Sequence, residues 1–235
     1  MLDLGSSFLA STERNPKATA IAGNNFKHTY LEWFSKIDKL AGALKHLGLK
    51  KKDKVITLLQ NSFEAATIHW ACQLNDLILV PLNWRMKTEE IDFCITNSEA
   101  KCIIYQDESL YETSKSKNAQ SIIKIFVGNK NKIINIYDLM QNGKSENYPS
   151  AKNDSISVIL YTSGTTGKPK GVPRTHSAER SSALAHVAQN IYIEGETTIG
   201  VMPLYHTMGI RSLIYMSLIN GAFISKTKFL SSEAI

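Results

Sequence analysis

Short apolar runs alternate with stretches of helical periodicity along most of this chain, and that alternation restricts its fold more than any other feature. Residues 18–22, 55–59, 77–80, 101–105, 122–127 and 155–161 read as strands. Residues 30–47 place Leu31, Phe34, Ile37, Leu40, Ala41, Leu44 and Leu47 on one helical face. Residues 63–74 read as a second helix. A third runs over 88–97, opened by Thr88-Glu89-Glu90. Pro81 is expected to stop the strand before it. Further on come a short strand (172–175), a helix (177–190) and strands at 197–201 and 222–225. The polar stretch 141–153, with Gly143 and Pro149, reads as a surface loop. Strands alternating with helices place the chain in the α/β class, with a doubly wound, mostly parallel sheet. The 235 residues allow one large domain or two small ones, and a hydrophobic fraction of 43% is ample for a core. Ligands of such sheets bind beyond the carboxyl ends of the strands.

One segment at such an end carries chemistry: Tyr161-Thr162-Ser163-Gly164-Thr165-Thr166-Gly167-Lys168-Pro169-Lys170-Gly171. Glycine lets a backbone turn tightly and approach a ligand closely. Successive backbone N–H groups in such a turn form a concave anion site. The hydroxyls add donors and the lysines add charge, a combination that fits a polyphosphate. The segment is not a Walker A loop, because Pro169 follows Lys168 and no glycine stands at the required earlier position. A serine hydrolase is disfavoured by the lack of Gly-x-Ser-x-Gly.

Composition narrows the partners. The formal charge is +6 and the sequence pI about 9.1, yet the lysines are scattered. The one dense run, Lys50-Lys51-Lys52-Asp53-Lys54, falls in an expected turn, so no nucleic-acid partner is expected. Cys72, Cys94 and Cys102 lack metal-ligand spacing and sit in apolar sequence, as buried free thiols of a reducing cytoplasm would. No apolar run is long enough to cross a bilayer. Met1-Leu2-Asp3-Leu4 lacks the layout of a signal peptide.

The segment from Thr162 to Gly171 resembles the phosphate-binding signature of the adenylate-forming (AMP-binding) superfamily, of the acyl-CoA synthetase type. Its Thr-Ser-Gly-Thr-Thr-Gly core and its Pro169-Lys170-Gly171 follow the family pattern. Other stretches are similar too. Asn15-Pro16-Lys17-Ala18-Thr19-Ala20-Ile21 resembles the family's entry strand, and His28-Thr29-Tyr30 its lead into the first long helix. Val80-Pro81-Leu82-Asn83-Trp84-Arg85 resembles its Pro-Leu-Asn-x-Arg segment. Thr175-His176 follows the signature as in the family. Pro203-Leu204-Tyr205-His206-Thr207-Met208-Gly209 resembles the segment beside the acyl site. The resemblance covers nearly all of this chain but only the first half or so of a member. It implies that residues 1–235 are a partial AMP-binding N-terminal domain, truncated, with the C-terminal domain and its catalytic lysine absent. Residues 229–235 read as a strand exit and the first turn of a helix, which fits that expectation.

The resemblance implies an AMP-forming carboxylic acid–CoA ligase. Acid and ATP, with Mg2+, give an acyl-adenylate and pyrophosphate, and coenzyme A then displaces AMP. Thr162, Ser163, Gly164, Thr165, Thr166, Gly167 and Lys170 would hold the β- and γ-phosphates. Thr162 is similar to the family hydroxyl that meets Mg2+. Lys170 and His206 would be catalytic, and His206, Met208 and Gly209 would line the acid pocket. His176 is expected to support the loop. An adenylation domain loading a carrier protein, or a catalytically incomplete nucleotide-binding fragment, are the alternatives, and a second chain supplying the missing half is a candidate partner. Residues 204–213 resemble synthetases of aromatic or medium-sized acids. Two positions depart from the family: Asp76 and Lys52 stand where it has turn glycines. Lysine is the costlier of the two in a left-handed turn.

Overall fold

A computed structural model of the chain describes residues 2–128, 134–144, 149, 151–162 and 169–225. The chain opens with helix α1 (Leu4–Arg14), strands β1 (Thr19–Gly23) and β2 (Phe26–Thr29), and helix α2 (Tyr30–His46). Four strand–helix pairs follow: β3 (Lys54–Leu58) with α3 (Phe63–Leu74), β4 (Ile78–Pro81) with α4 (Thr88–Ser98), β5 (Cys102–Gln106) with α5 (Asp107–Lys115), and, after β6 (Ile123–Val127), β7 (Ile134–Asn135) with α6 (Ile136–Asn142). The last part comprises β8 (Ile156–Thr162), β9 (Lys170–Thr175), α7 (His176–Asn190), β10 (Thr197–Gly200), α8 (Thr207–Leu218) and β11 (Ala222–Ser225).

The expected mostly parallel α/β arrangement is present, divided between two sheets. Seven strands are ordered β7-β6-β5-β3-β4-β8-β9 and four are ordered β10-β11-β1-β2. The larger sheet is parallel except at its edge, where β9 returns antiparallel to β8. In the smaller sheet β1, β10 and β11 are parallel and β2 closes an antiparallel hairpin.

Two cores explain the continuous apolar runs. On one face of the larger sheet, Val55, Cys102 and Ile104 pack with Leu4, Phe8, Trp33, Leu40, Ile68, Trp70, Leu213 and Phe223, so α1, α2, α3 and α8 share one core with both sheets. On the other face, Ile56, Leu58, Ile103 and Tyr105 pack against Ile91, Cys94 and Ile95 of α4. Alternate residues of each strand therefore enter different cores, and both must be apolar.

Local chemistry sets the helix starts. Thr29 and Glu32 form a reciprocal capping box on α2, Ser62 caps α3 and Thr175 caps α7. The turn residues Lys52 (φ 69°) and Asp76 (φ 56°) both hold a left-handed backbone, the conformation that favours glycine. Lys52 N–H donates to the Asp76 carbonyl at 2.7 Å, which ties the two turns together at the amino ends of β3 and β4.

Three expectations need correction. Pro81 does not exclude itself from the strand but forms its last residue, in register with Thr57. The ladder continues past it, with Leu82 N–H donating to the Thr57 carbonyl at 2.9 Å. The loop expected at 141–153 begins later, because Gln141 and Asn142 finish α6. Helices α1, α5, α6 and α8 are not part of the sequence reading. The reading of residues 229–235 lies outside the described residues.

Candidate functional site

Every residue of interest here sits relative to one direction, that of the parallel strands. Strand β8 delivers Thr162 at its carboxyl end, and β9 takes the chain back. Thr162 and Lys170 are cross-strand partners at the mouth of this hairpin, both exposed. The structure thus brings together the two ends of the phosphate-binding signature. Ser163, Gly164, Thr165, Thr166 and Gly167, the loop between them, lie outside the described residues. The stem is buttressed from below. Gly171 faces Tyr161, and a β-carbon there would stand 3.0 Å from Ile159 Cγ2 and 3.1 Å from Tyr161 Cζ. Tyr161 donates its hydroxyl to Asn97 Oδ1 at 2.6 Å, and burial pushes its phenol up to about 12.

His176 stands away from the described ends of the loop, Thr162 and Lys170. It follows Thr175, whose partner is Ile156 at the opposite end of the hairpin. Six residues of strand separate Ile156 from Thr162, about 20 Å at 3.4 Å per residue. His176 is fully buried there. Its Nδ1 accepts the Leu4 N–H at 3.2 Å, which places the proton of the neutral ring on Nε2, 4.0 Å from Asp76 Oδ1. Burial lowers its pKa, partly offset by Asp3. This residue pins β9 and α7 to α1.

The second half of the site hangs from the other sheet. Strand β10 ends at Gly200, and residues 201–206 lead into α8. His206 is the residue before the helix, exposed, with its ring 4.7 Å from that of Tyr205. Met208 is also exposed, and its Sδ accepts from Arg211 Nη1 at 3.7 Å. Gly209 is buried, and a β-carbon there would come within 2.1 Å of the Pro203 carbonyl oxygen. The turn into α8 therefore closes on the bare face of Gly209. Beneath the segment a cavity of about 10 Å3 is lined by Leu59, His69, Leu204, Tyr205 and Ile210, among others. It has room for one water-sized group, whereas His206 and Met208 are exposed on the outer side of the segment. Burial holds the His69 imidazole neutral, with its pKa down to about 3.

Asn61, which the sequence reading passes over, joins the two halves. It follows β3, and its amide reaches the β10–α8 segment. Nδ2 donates to the Gly200 carbonyl at 3.0 Å and to the Met202 carbonyl at 2.9 Å, and Oδ1 accepts the Leu204 N–H at 2.8 Å. Nothing in the local sequence announces a contact 139 residues away. Asn61, Thr162, Lys170 and residues 200–206 all lie beyond the carboxyl ends of parallel strands, where open α/β sheets bind ligands. Among the described residues no cluster of three or more His, Cys, Asp or Glu side chains is placed to hold a metal ion. Among them, too, no helix is long and apolar enough to cross a membrane.

The fold recurs in known proteins. The structure superposes on the inhibitor-bound N-terminal domain of FACL13 from Mycobacterium tuberculosis with a TM-score of 0.88 at 22% identity, covering 99% of this chain and 59% of that one. It superposes on the o-succinylbenzoate coenzyme A synthetase of Bacillus subtilis, solved with ATP and magnesium ion, with a TM-score of 0.82 at 23% identity, covering 97% and 58%. In sequence it is similar to the 2-succinylbenzoate–CoA ligase of Bacillus licheniformis, 29% identical over 212 residues, which are 89% of this chain and 41% of the relative. It is also similar to a feruloyl-CoA synthase of an Amycolatopsis species, 24% identical over 221 residues, 94% and 43%. The chain thus spans about two-fifths of the length of these curated relatives. The pattern of the AMP-binding enzymes matches residues 8–231, a span that holds both the Thr162–Lys170 hairpin and the His206 segment, and the chain belongs to that family.

Proposed function

We propose that residues 1–235 are the N-terminal portion of an AMP-forming carboxylic acid–CoA ligase of the cytoplasm, and that they carry its phosphate-binding hairpin and one wall of its acid pocket. The observation that carries this reading is the pairing of Thr162 with Lys170 at the carboxyl end of β8, in a chain of the AMP-binding family whose curated relatives are named as CoA ligases.

The chemistry follows from charge. A carboxylate oxygen attacks the α-phosphorus of ATP. The new P–O bond forms as the α–β bridge breaks, and its electrons leave on pyrophosphate. An anion attacking a polyanion needs cations and oriented donors where charge accumulates. Lys170 stands at the mouth of the hairpin, where its ammonium would face the leaving pyrophosphate. Ser163, Thr165 and Thr166 would donate to its oxygens, and Gly164 and Gly167 would let the backbone close on them. Mg2+ would arrive with the nucleotide. An ion that keeps most of its ligands as phosphate and water needs little more than the exposed Thr162 hydroxyl from this chain. His206, Met208 and Gly209 would border the acid and hold its carboxylate toward the α-phosphate. The coenzyme A sulfur would then attack the acyl carbonyl, with AMP leaving. The relatives' names favour an aromatic carboxylic acid.

Acid-dependent ATP–pyrophosphate exchange across a panel of aromatic and aliphatic acids tests the reading. Exchange with one acid class supports adenylation and names the acid. A folded chain that binds ATP without exchange would make these residues a catalytically incomplete nucleotide-binding fragment.

A further inference from the structure

The two halves of the site are built on different sheets. The phosphate hairpin belongs to the seven-stranded sheet, and the His206 segment extends from β10 of the four-stranded one. Attack requires the carboxylate oxygen to sit about 3–3.5 Å from the α-phosphorus, and small misplacements are costly. Something must therefore fix one half against the other at the end of the molecule where they meet. The Tyr30 Oη bonds to the Met216 and Gly221 carbonyls stay on the side of the four-stranded sheet, at the end of α8 remote from His206.

We propose that Asn61 is the positioning residue of the acid pocket, resting on the adenylation reading above. It stands at the carboxyl end of β3, in the same sheet as β8 and separated from it by β4 alone. Its three bonds fall on Gly200, Met202 and Leu204, the residues that lead to His206. The extended segment offers two carbonyls and one N–H to the same side chain. Only a primary amide supplies two donors and one acceptor at this reach. A flipped amide would set Oδ1 against two carbonyl oxygens, so the orientation is fixed by the partners. Two further backbone bonds, Val201 N–H to the Ile199 carbonyl and His206 N–H to the Pro203 carbonyl, both at 2.9 Å, stiffen the segment between its anchors. Asn61 acts through the segment and holds His206 in register with the hairpin. An aspartate would keep the acceptor for Leu204 and press a carboxylate on the other two carbonyls. An alanine would release all three.

The test uses the 235-residue chain, ATP, and 5′-O-(N-benzoylsulfamoyl)adenosine, a stable molecule that joins an acyl group to adenosine and so spans both halves of the site. Asn61→Asp and Asn61→Ala are expected to bind this probe at least tenfold more weakly while ATP affinity stays within twofold. The Leu204 amide is expected to exchange its hydrogen at least tenfold faster in Asn61→Ala. Asn61→Gln, which keeps donors and acceptor, is expected to recover part of the probe affinity and serves if the other two fold poorly. Equal losses for ATP and probe, or no loss for either, overturn the inference in favour of a structural role or none. A wild-type chain that binds ATP but not the probe contradicts the acid half of the proposed function and the inference with it. An unchanged Leu204 exchange rate in Asn61→Ala overturns the clamp whatever the ligands do.

Discussion

Asp76 and Lys52 pose the clearest question at the scale of single residues, because each holds a left-handed backbone without being glycine. A left-handed L-residue costs about 1–2 kcal/mol, less for Asp and Asn. The pair persists because Lys52 N–H and the Asp76 carbonyl bond each other. Asp76 has a second peculiarity. Burial pushes its carboxyl above the ordinary 3.8, and the nearby Lys51 and Lys52 only partly oppose this. The folded chain therefore holds this proton more tightly than the unfolded chain does. The contribution to stability is complete below the ordinary value and is lost as pH rises through the raised one. Ionised Asp76 is thus a burden at neutral pH. Asp76→Asn, which tolerates the same backbone, is expected to raise the melting temperature at pH 7. The gain should vanish below about pH 4, and an equal gain at both would show that charge is not its source.

Elements differ in how much of them the sequence discloses. The helix over residues 30–47 and the strand leading to Thr162 are legible because their apolar residues follow a single period. Helix α1 is hidden by composition. Ser7, Ser11 and Thr12 are buried, yet each hydroxyl is satisfied by a carbonyl of the preceding turn, at Asp3, Ser7 and Phe8. Polar letters thus occupy core positions and break the pattern. The signature's hydroxyls, glycines and lysines mark the phosphate half of the site plainly. The proposed acid half is legible only as a short motif, since the path of residues 200–206 rests on the distant Asn61 bonds and on the turn into α8. Gly209 is the test of that turn. Gly209→Ala would drive a methyl into the Pro203 carbonyl, 2.1 Å away. We expect a loss of about 2 kcal/mol, typical of overpacking, read from the urea midpoint. Unchanged stability would mean that the turn yields easily.

At the scale of the whole molecule, the strand direction divides the chain's polar groups by purpose. At the amino ends of the strands, Asp3, Asp76 and His176 are buried and knit α1, β4 and α7 together. The cysteines are buried as expected, and burial pushes the Cys72 and Cys94 thiols up to about 12. At the carboxyl ends, Thr162, Lys170, His206 and Met208 are exposed. These buried and exposed groups thus occupy opposite poles, and the central proposal is that the exposed pole receives a nucleotide. The measurement that tests this most directly is a calorimetric titration of the folded chain with Mg–ATP, alongside Lys170→Ala. Lys170 is exposed, so its loss should leave the fold intact. The account predicts saturable one-site binding that falls at least tenfold, about 1.4 kcal/mol, in the variant. Absence of saturable binding by the folded chain, or equal affinity in the variant, would contradict it.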